Sequence, residues 1–257
     1  MEKTFSMEFE GRTLSCEIGR VAGLANGAAL VRYGDTVILA SVTASEKPRE
    51  GVDFFPLSVD YEEKTYAAGK IPGGFLKREG KPSEHAILTS RVIDRPIRPL
   101  FPKDYRNDVS IITTVVCVDQ DAMPETLAMV AASIVLSISD IPFAGPIGAV
   151  NVGYVDGQLV VNPTEEQRKK TDLSITVAST KEKVVMIEAG ANEIPEDVML
   201  EAVKKGHEAN QKIVDWIKDI AKEVGKEKAS YEQVSIPEDI YNEVTGYITS
   251  ERMREAV

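Results

Sequence analysis

The sequence predicts an α+β protein, β-sheets packed with helices, and three observations lead there. The first third divides into short β-branched and aromatic runs bounded by Gly, Asn or Asp. Two segments of helical period, Pro124 to Ser139 and Glu196 to Val224, follow later in the chain. Between them lie further short strand-like runs with their own turn signals, so strands and helices segregate rather than alternate regularly.

Taken in order, Phe5 to Phe9, Thr13 to Gly19, Ala28 to Arg32 and Thr36 to Thr43 read as strands. Tyr33-Gly34-Asp35-Thr36 places Gly first in a two-residue turn, which suits a hairpin's twist. Phe54 to Glu62 supplies another strand, and Ser83 to Arg95 reads as a helix opened by Pro82 and stopped by Pro96. Val109 to Val118 is a β-branched run suited to a buried strand. In Pro124 to Ser139, Leu127, Val130, Ala131, Ile134, Val135 and Ile138 recur at steps of three and four, which predicts one broad apolar face on a sheet. Strands resume at Ile147, with Asp156-Gly157 marking a hairpin, and continue at Leu173 to Ala178 and Val184 to Ala189. Glu196 to Val224 is a long helix with Met199, Val203, Gly206, Asn210, Ile213, Ile217, Ile220 and Val224 along one stripe. Gly206 costs about 1 kcal/mol of helix propensity, so it is read as a point of close packing, and His207 as structural. A new helix opens near Pro237 and runs to Val257 without a stop signal, so the chain reads as truncated.

Composition excludes several classes. The 30 Lys and Arg against 41 Asp and Glu give a net charge of −11, which rules out a uniformly basic nucleic-acid coat protein. With 43% apolar and 28% charged residues the chain is expected to fold rather than stay disordered. The longest apolar stretch, Leu127 to Ile138, is 12 residues, short of a membrane span, and the start lacks an apolar signal region. No membrane partner and a cytoplasmic location are therefore expected. Cys16 and Cys117 lie far apart without a metal-binding neighbourhood and read as buried reduced thiols.

The charge is uneven. Between Lys70 and Arg106 nine cations face four anions, a surplus of five, so the remainder of the chain carries −16. A basic island on an acidic body suits a polyanion held at one place. The alternative is a solvated face with local ion pairs, such as Asp94 with Arg91 or Arg98. In Lys70-Ile-Pro-Gly-Gly-Phe75-Leu76-Lys77-Arg78-Glu-Gly-Lys81-Pro82, glycines and prolines forbid both helix and central strand, placing Phe75 and Leu76 on an exposed loop beside cations. A base of a single-stranded nucleic acid stacked on Phe75 is worth roughly 1–3 kcal/mol, with Lys77 and Arg78 neutralising adjoining phosphates. Lys81 adds charge, and Arg91, Arg95 and Arg98 follow at steps of four and three, able to extend the track. A loop tip tucked into a partner subunit fits the composition equally well.

These residues, together with Tyr33-Gly-Asp-Thr36, Arg91-Val-Ile-Asp-Arg-Pro-Ile-Arg-Pro-Leu-Phe-Pro102 and Met199-Leu-Glu-Ala-Val-Lys-Lys-Gly-His207, closely resemble the amino-terminal part of the bacterial polynucleotide phosphorylase family over the whole chain. The resemblance implies an RNase PH-like fold (ribosomal protein S5 domain 2-like) over residues 1–225, divided at about 143/144. Residues 226–257 would then be a linker and the start of an all-helical domain. It further implies a second RNase PH-like copy and KH and S1 modules beyond this segment, and a ring-shaped homotrimer. The activity implied is 3′-to-5′ phosphorolysis of single-stranded RNA in mRNA degradation: inorganic phosphate attacks the terminal phosphodiester and releases a nucleoside diphosphate, with Mg²⁺ assisting. A complex with a helicase or an endoribonuclease is a further implied partner. The family's RNA-gripping loop of two aromatic and two basic residues matches Phe75, Leu76, Lys77 and Arg78, with Leu76 in place of an aromatic and Lys77 in place of an arginine.

No catalytic or metal-binding residue is expected within this segment. Where the family's active copy carries a Gly- and Ser-rich phosphate turn, this chain has Asp119-Gln-Asp121-Ala-Met-Pro124-Glu125-Thr126. Acids there occupy the positive end of the helix dipole and Pro124 lacks an N–H, so phosphate is repelled. Asp172 aligns with a metal-binding aspartate of the catalytic copy, and Glu166 lies six residues before it. Asp121, Glu125 and Asp172 are read as a vestigial pocket, with Mg²⁺ and phosphate assigned to the missing second copy. The rival reading is a non-catalytic RNase PH-like RNA-binding scaffold subunit of a ring.

Overall fold

The computed structural model describes residues 2–75, 80–231, 233 and 236–256. Six strands, β1 (Lys3–Phe9), β2 (Arg12–Ile18), β3 (Gly27–Tyr33), β4 (Thr36–Ala44), β5 (Leu57–Glu63) and β6 (Val109–Cys117), form one sheet in the order β1-β2-β3-β4-β6-β5. All neighbours are antiparallel except β5 and β6. Gly34 sits at φ 56° between the paired residues Tyr33 and Thr36, the left-handed conformation the hairpin asks of its first turn residue.

A parallel pair requires a crossover. Here the crossover from β5 to β6 carries the whole cationic segment and helix α1 (Glu84–Ile97), which packs on β5. Ser83 opens α1 by accepting a hydrogen bond from the Ala86 N–H. Contrary to the sequence reading, Pro96 lies inside the helix. In the last turn it forfeits a single N–H bond, Arg98 N still donates to Asp94 O, and the buried ring fills the core beside Ile97.

Helix α2 (Pro124–Ile138) corrects a second expectation. It is buried on nearly every side, because β3 and β4 cover one face while the other meets a second sheet and a long helix. Ser133 is tolerated there because its hydroxyl accepts from Ile147 N at 2.9 Å. The second sheet, in the order β10-β9-β7-β8, comprises β7 (Gly148–Val155), β8 (Gln158–Val161), β9 (Leu173–Ser179) and β10 (Val184–Ala191). Asp156 and Gly157, at φ 49° and 79°, make the tight turn between β7 and β8. A four-residue helix, α3 (Glu165–Arg168), opened by a Thr164–Gln167 capping box, was not foreseen. Helix α4 (Glu196–Val224) spans the predicted range and packs on β7, β9 and α2.

Beyond α4 the chain folds back along the end of α2. Lys226 N donates to Ile138 O, and the Lys228 ammonium donates to the carbonyls of Leu136, Ser137 and Ser139, which the helix end leaves unpaired. Tyr231 reaches Asp104 at 2.9 Å. Helices α5 (Glu238–Tyr247) and α6 (Ser250–Glu255) bury none of their residues. No helix among the described residues is long and apolar enough to cross a membrane.

Burial sets a pH dependence. The Cys16 thiol, fully buried, is pushed up to about 12 by loss of solvent, and the Tyr105 phenol to about 12 by burial and by the Asp140 charge. Folded values above the unfolded 9.0 and 10.0 mean stability that is complete below pH 9 and lost as pH rises toward 12. Lys228 acts oppositely: burial lowers it from 10.5 to about 8, so it restores stability between those values. The net fall in urea midpoint should therefore steepen above about pH 10.5. Cys16→Ala should be less stable throughout yet fall less steeply between pH 9 and 12. Parallel curves for the two proteins would refute the assignment to Cys16.

Candidate nucleic-acid interface

Strand β5 ends in Glu62 and Glu63, and the β5–β6 crossover begins with Lys64 and a 3₁₀ turn (Thr65–Ala68) closed by Gly69 at φ 68°. From Lys70 the chain runs irregularly to Gly74, and Phe75, expected on a loop, is instead helical, 66% exposed and outside the core. Leu76, Lys77 and Arg78 lie outside the described residues. Lys81 is exposed just before Ser83 starts α1.

On α1, Ala86, Thr89, Ile93, Pro96 and Ile97 are buried, leaving Ile87, Leu88, Arg91 and Arg95 on the outward side. Arg91 makes no hydrogen bond or ion pair among the described residues, and Arg95 makes a 3.7 Å ion pair with Glu188 between two exposed side chains, a weak tie. Arg98 is placed differently. Its guanidinium grips both Asp94 oxygens, at 2.9 and 2.7 Å, and donates to the carbonyls of Phe55 and Leu57, clamping the end of α1 onto the start of β5. The structure therefore brings Arg91 and Arg95 together on one exposed face, while Arg98's donors are used within the fold.

The turn before α2 is held from within the chain. Thr36 Oγ1 accepts from Asp119 N and donates to Ala122 O, and Asp119 Oδ1 accepts from Asp121 N. Arg12 donates to Asp121 O, and Arg168 to the carbonyls of Gln120 and Pro163. Asp121 Oδ1 accepts from Glu165 N at 2.8 Å, holding α3 beside the turn. Pro124 occupies the first turn of α2, which has no side-chain cap, and Glu125 adds a carboxylate there. Glu125 turns to His85 at 3.2 Å, whereas Asp172, exposed before β9, accepts a 3.5 Å bond from Asn192. The three acids thus serve three different neighbours and do not share one coordination shell. Glu166 is exposed on α3.

Two groups escaped sequence reasoning. Arg12 comes from the first position of β2, 109 residues before its acceptor, with no local signal. His85 faces Glu63 as well as Glu125, at 3.5 Å, a convergence of three separate elements that no spacing reveals.

This two-sheet arrangement, with the charged segment in a parallel crossover, agrees with comparison to known proteins. Residues 10–142 match the 3′ exoribonuclease family, domain 1 (RNase PH), and residues 145–209 match its domain 2. The chain belongs to the 3′ exoribonuclease family. It is 63% identical over 257 residues to a polyribonucleotide nucleotidyltransferase of Ruminiclostridium cellulolyticum, covering 100% of this chain and 36% of that protein. To the enzyme of the same name from Clostridioides difficile it is 56% identical over 255 residues, covering 99% of this chain and 36% of the relative. The chain thus spans little more than a third of the length of these curated relatives. Rice Rrp46 superimposes with a TM-score of 0.66 at 17% identity, covering 81% of this chain and 94% of the rice protein, a likeness of fold.

Proposed function

We propose that the chain is the amino-terminal, RNase PH-like portion of a polyribonucleotide nucleotidyltransferase, and that its part in 3′-to-5′ phosphorolysis is to hold single-stranded RNA rather than to cleave it. The observation that carries this reading is the exposed Phe75 ring within a segment rich in cations, followed by Arg91 and Arg95 on the outward face of α1. A ring that gains nothing from water gains from a stacked base, and the cations neutralise the strand. Lys77, Arg78 and Lys81 complete the track by sequence. Inorganic phosphate and Mg²⁺ act, in this reading, in a second RNase PH-like domain, since Asp121, Glu125 and Asp172 point to different neighbours. Assembly as a homotrimer, association with a helicase or endoribonuclease and a cytoplasmic setting belong to the same proposal.

The test is salt dependence. Each phosphate contact on a single strand contributes about 0.7 to the slope of log K against log salt. Replacing Lys77 and Arg78 with Ala should weaken binding of a single-stranded oligonucleotide and flatten that slope by roughly one to two units. An unchanged slope would remove these residues from the RNA path.

A further inference from the structure

We propose that Glu63, His85 and Glu125 form a binding site for a divalent cation of the Zn²⁺ class, joining the end of β5 to the first turns of α1 and α2. The three side chains each offer one ligand atom, and those atoms all lie within 4.8 Å of one another. His85 Nε2 is 3.5 Å from Glu63 Oε1 and 3.2 Å from Glu125 Oε1. A tetrahedral ion with bonds of about 2.1 Å separates its ligand atoms by roughly 3.4 Å, so both imidazole–carboxylate edges already have the span an ion needs.

The surroundings support ligation over a simple ion pair. Tyr61, buried in the core, donates its O–H to Glu63 Oε1 at 2.6 Å, the outer hydrogen bond that orients a ligating carboxylate. Glu125 Oε2 is buried from solvent and has no hydrogen-bond partner among the described residues, so this carboxylate is incompletely satisfied by protein groups alone. The imidazole is 56% exposed, which leaves an entry path and room for water at a fourth position. A nitrogen ligand with two carboxylate oxygens suits Zn²⁺ or Mn²⁺ better than Mg²⁺, which prefers an all-oxygen octahedron. The site shares only Glu125 with the vestigial pocket and needs neither RNA nor phosphate, so it stands or falls separately from the proposed function.

Zn²⁺ titrated into the 257-residue chain by isothermal calorimetry should bind one equivalent, and zinc should raise the thermal midpoint. His85→Asn, at an exposed position, should leave the metal-free midpoint in place while weakening zinc at least about tenfold and abolishing the zinc-induced rise. Tyr61→Phe should weaken zinc by about tenfold through Glu63. Absence of zinc uptake by the unsubstituted chain up to about 1 mM, where binding energy falls to about 4 kcal/mol, would overturn the proposal. So would an unchanged zinc affinity in His85→Asn, since the ion would then sit elsewhere.

Discussion

Incubated with single-stranded RNA, inorganic phosphate and Mg²⁺, the 257-residue chain should release no nucleoside diphosphate above the uncatalysed level. The reason lies at the start of α2. A phosphate pocket at a helix N-terminus works through free N–H groups and a positive dipole end. In this chain Pro124 supplies no N–H, Glu125 already occupies the first turn, and no side-chain hydroxyl caps the helix. Asp119 and Asp121 add negative charge and spend oxygens on Asp121 N and Glu165 N. One like charge about 4 Å from phosphate costs about 4 kcal/mol at an effective dielectric near 20, a factor of about a thousand in occupancy. Product formation that rises with protein and vanishes when phosphate is omitted would mean that this turn does bind phosphate.

Much of the architecture could be read from residue patterns, and the exceptions share a cause. The short runs of β1 to β4 bounded by Gly, Asn or Asp, the Gly34 and Asp156-Gly157 turns and the stripe along α4 are local signals, and each element forms where its signal lies. Sheet order is not local. Nothing in Val109 to Cys117 says that β6 inserts between β4 and β5. The apolar stripe of α2 predicted one covered face, but the second sheet and α4 supply a second cover that no helical period encodes. Spacing aligned Arg98 with Arg91 and Arg95, yet its side chain follows Asp94 and two carbonyls of the neighbouring segment. His85 stands 22 residues from Glu63 and 40 from Glu125, separations set by tertiary packing alone.

Where α4 meets the second sheet, adding a single methyl group should be felt strongly. A Cβ at Gly148 would lie 2.8 Å from Asn210 O and 3.0 Å from Asn210 Cα, backbone that cannot step aside. Asn210 is itself fully buried, donating from Nδ2 to Val177 O at 2.9 Å and to Ser179 Oγ at 3.0 Å, so moving the helix would strip two hydrogen bonds from the interior. At Gly206 the new methyl would meet Val177 side-chain atoms at 2.8 and 2.9 Å and Val152 at 3.3 Å, both valines being fully buried. Overpacking of this kind costs about 1–3 kcal/mol. Gly206→Ala recovers about 1 kcal/mol of helix propensity, so its net loss should be the smaller of the two. At about 2–4 °C per kcal/mol for a chain of this size, Gly148→Ala should melt several degrees below the unsubstituted protein and Gly206→Ala less far below. Gly190, on β10 with open space where a Cβ would stand, is the control, and Gly190→Ala should be neutral or stabilising. A higher midpoint for Gly148→Ala would mean that β7 and α4 are not in the close contact that glycine permits.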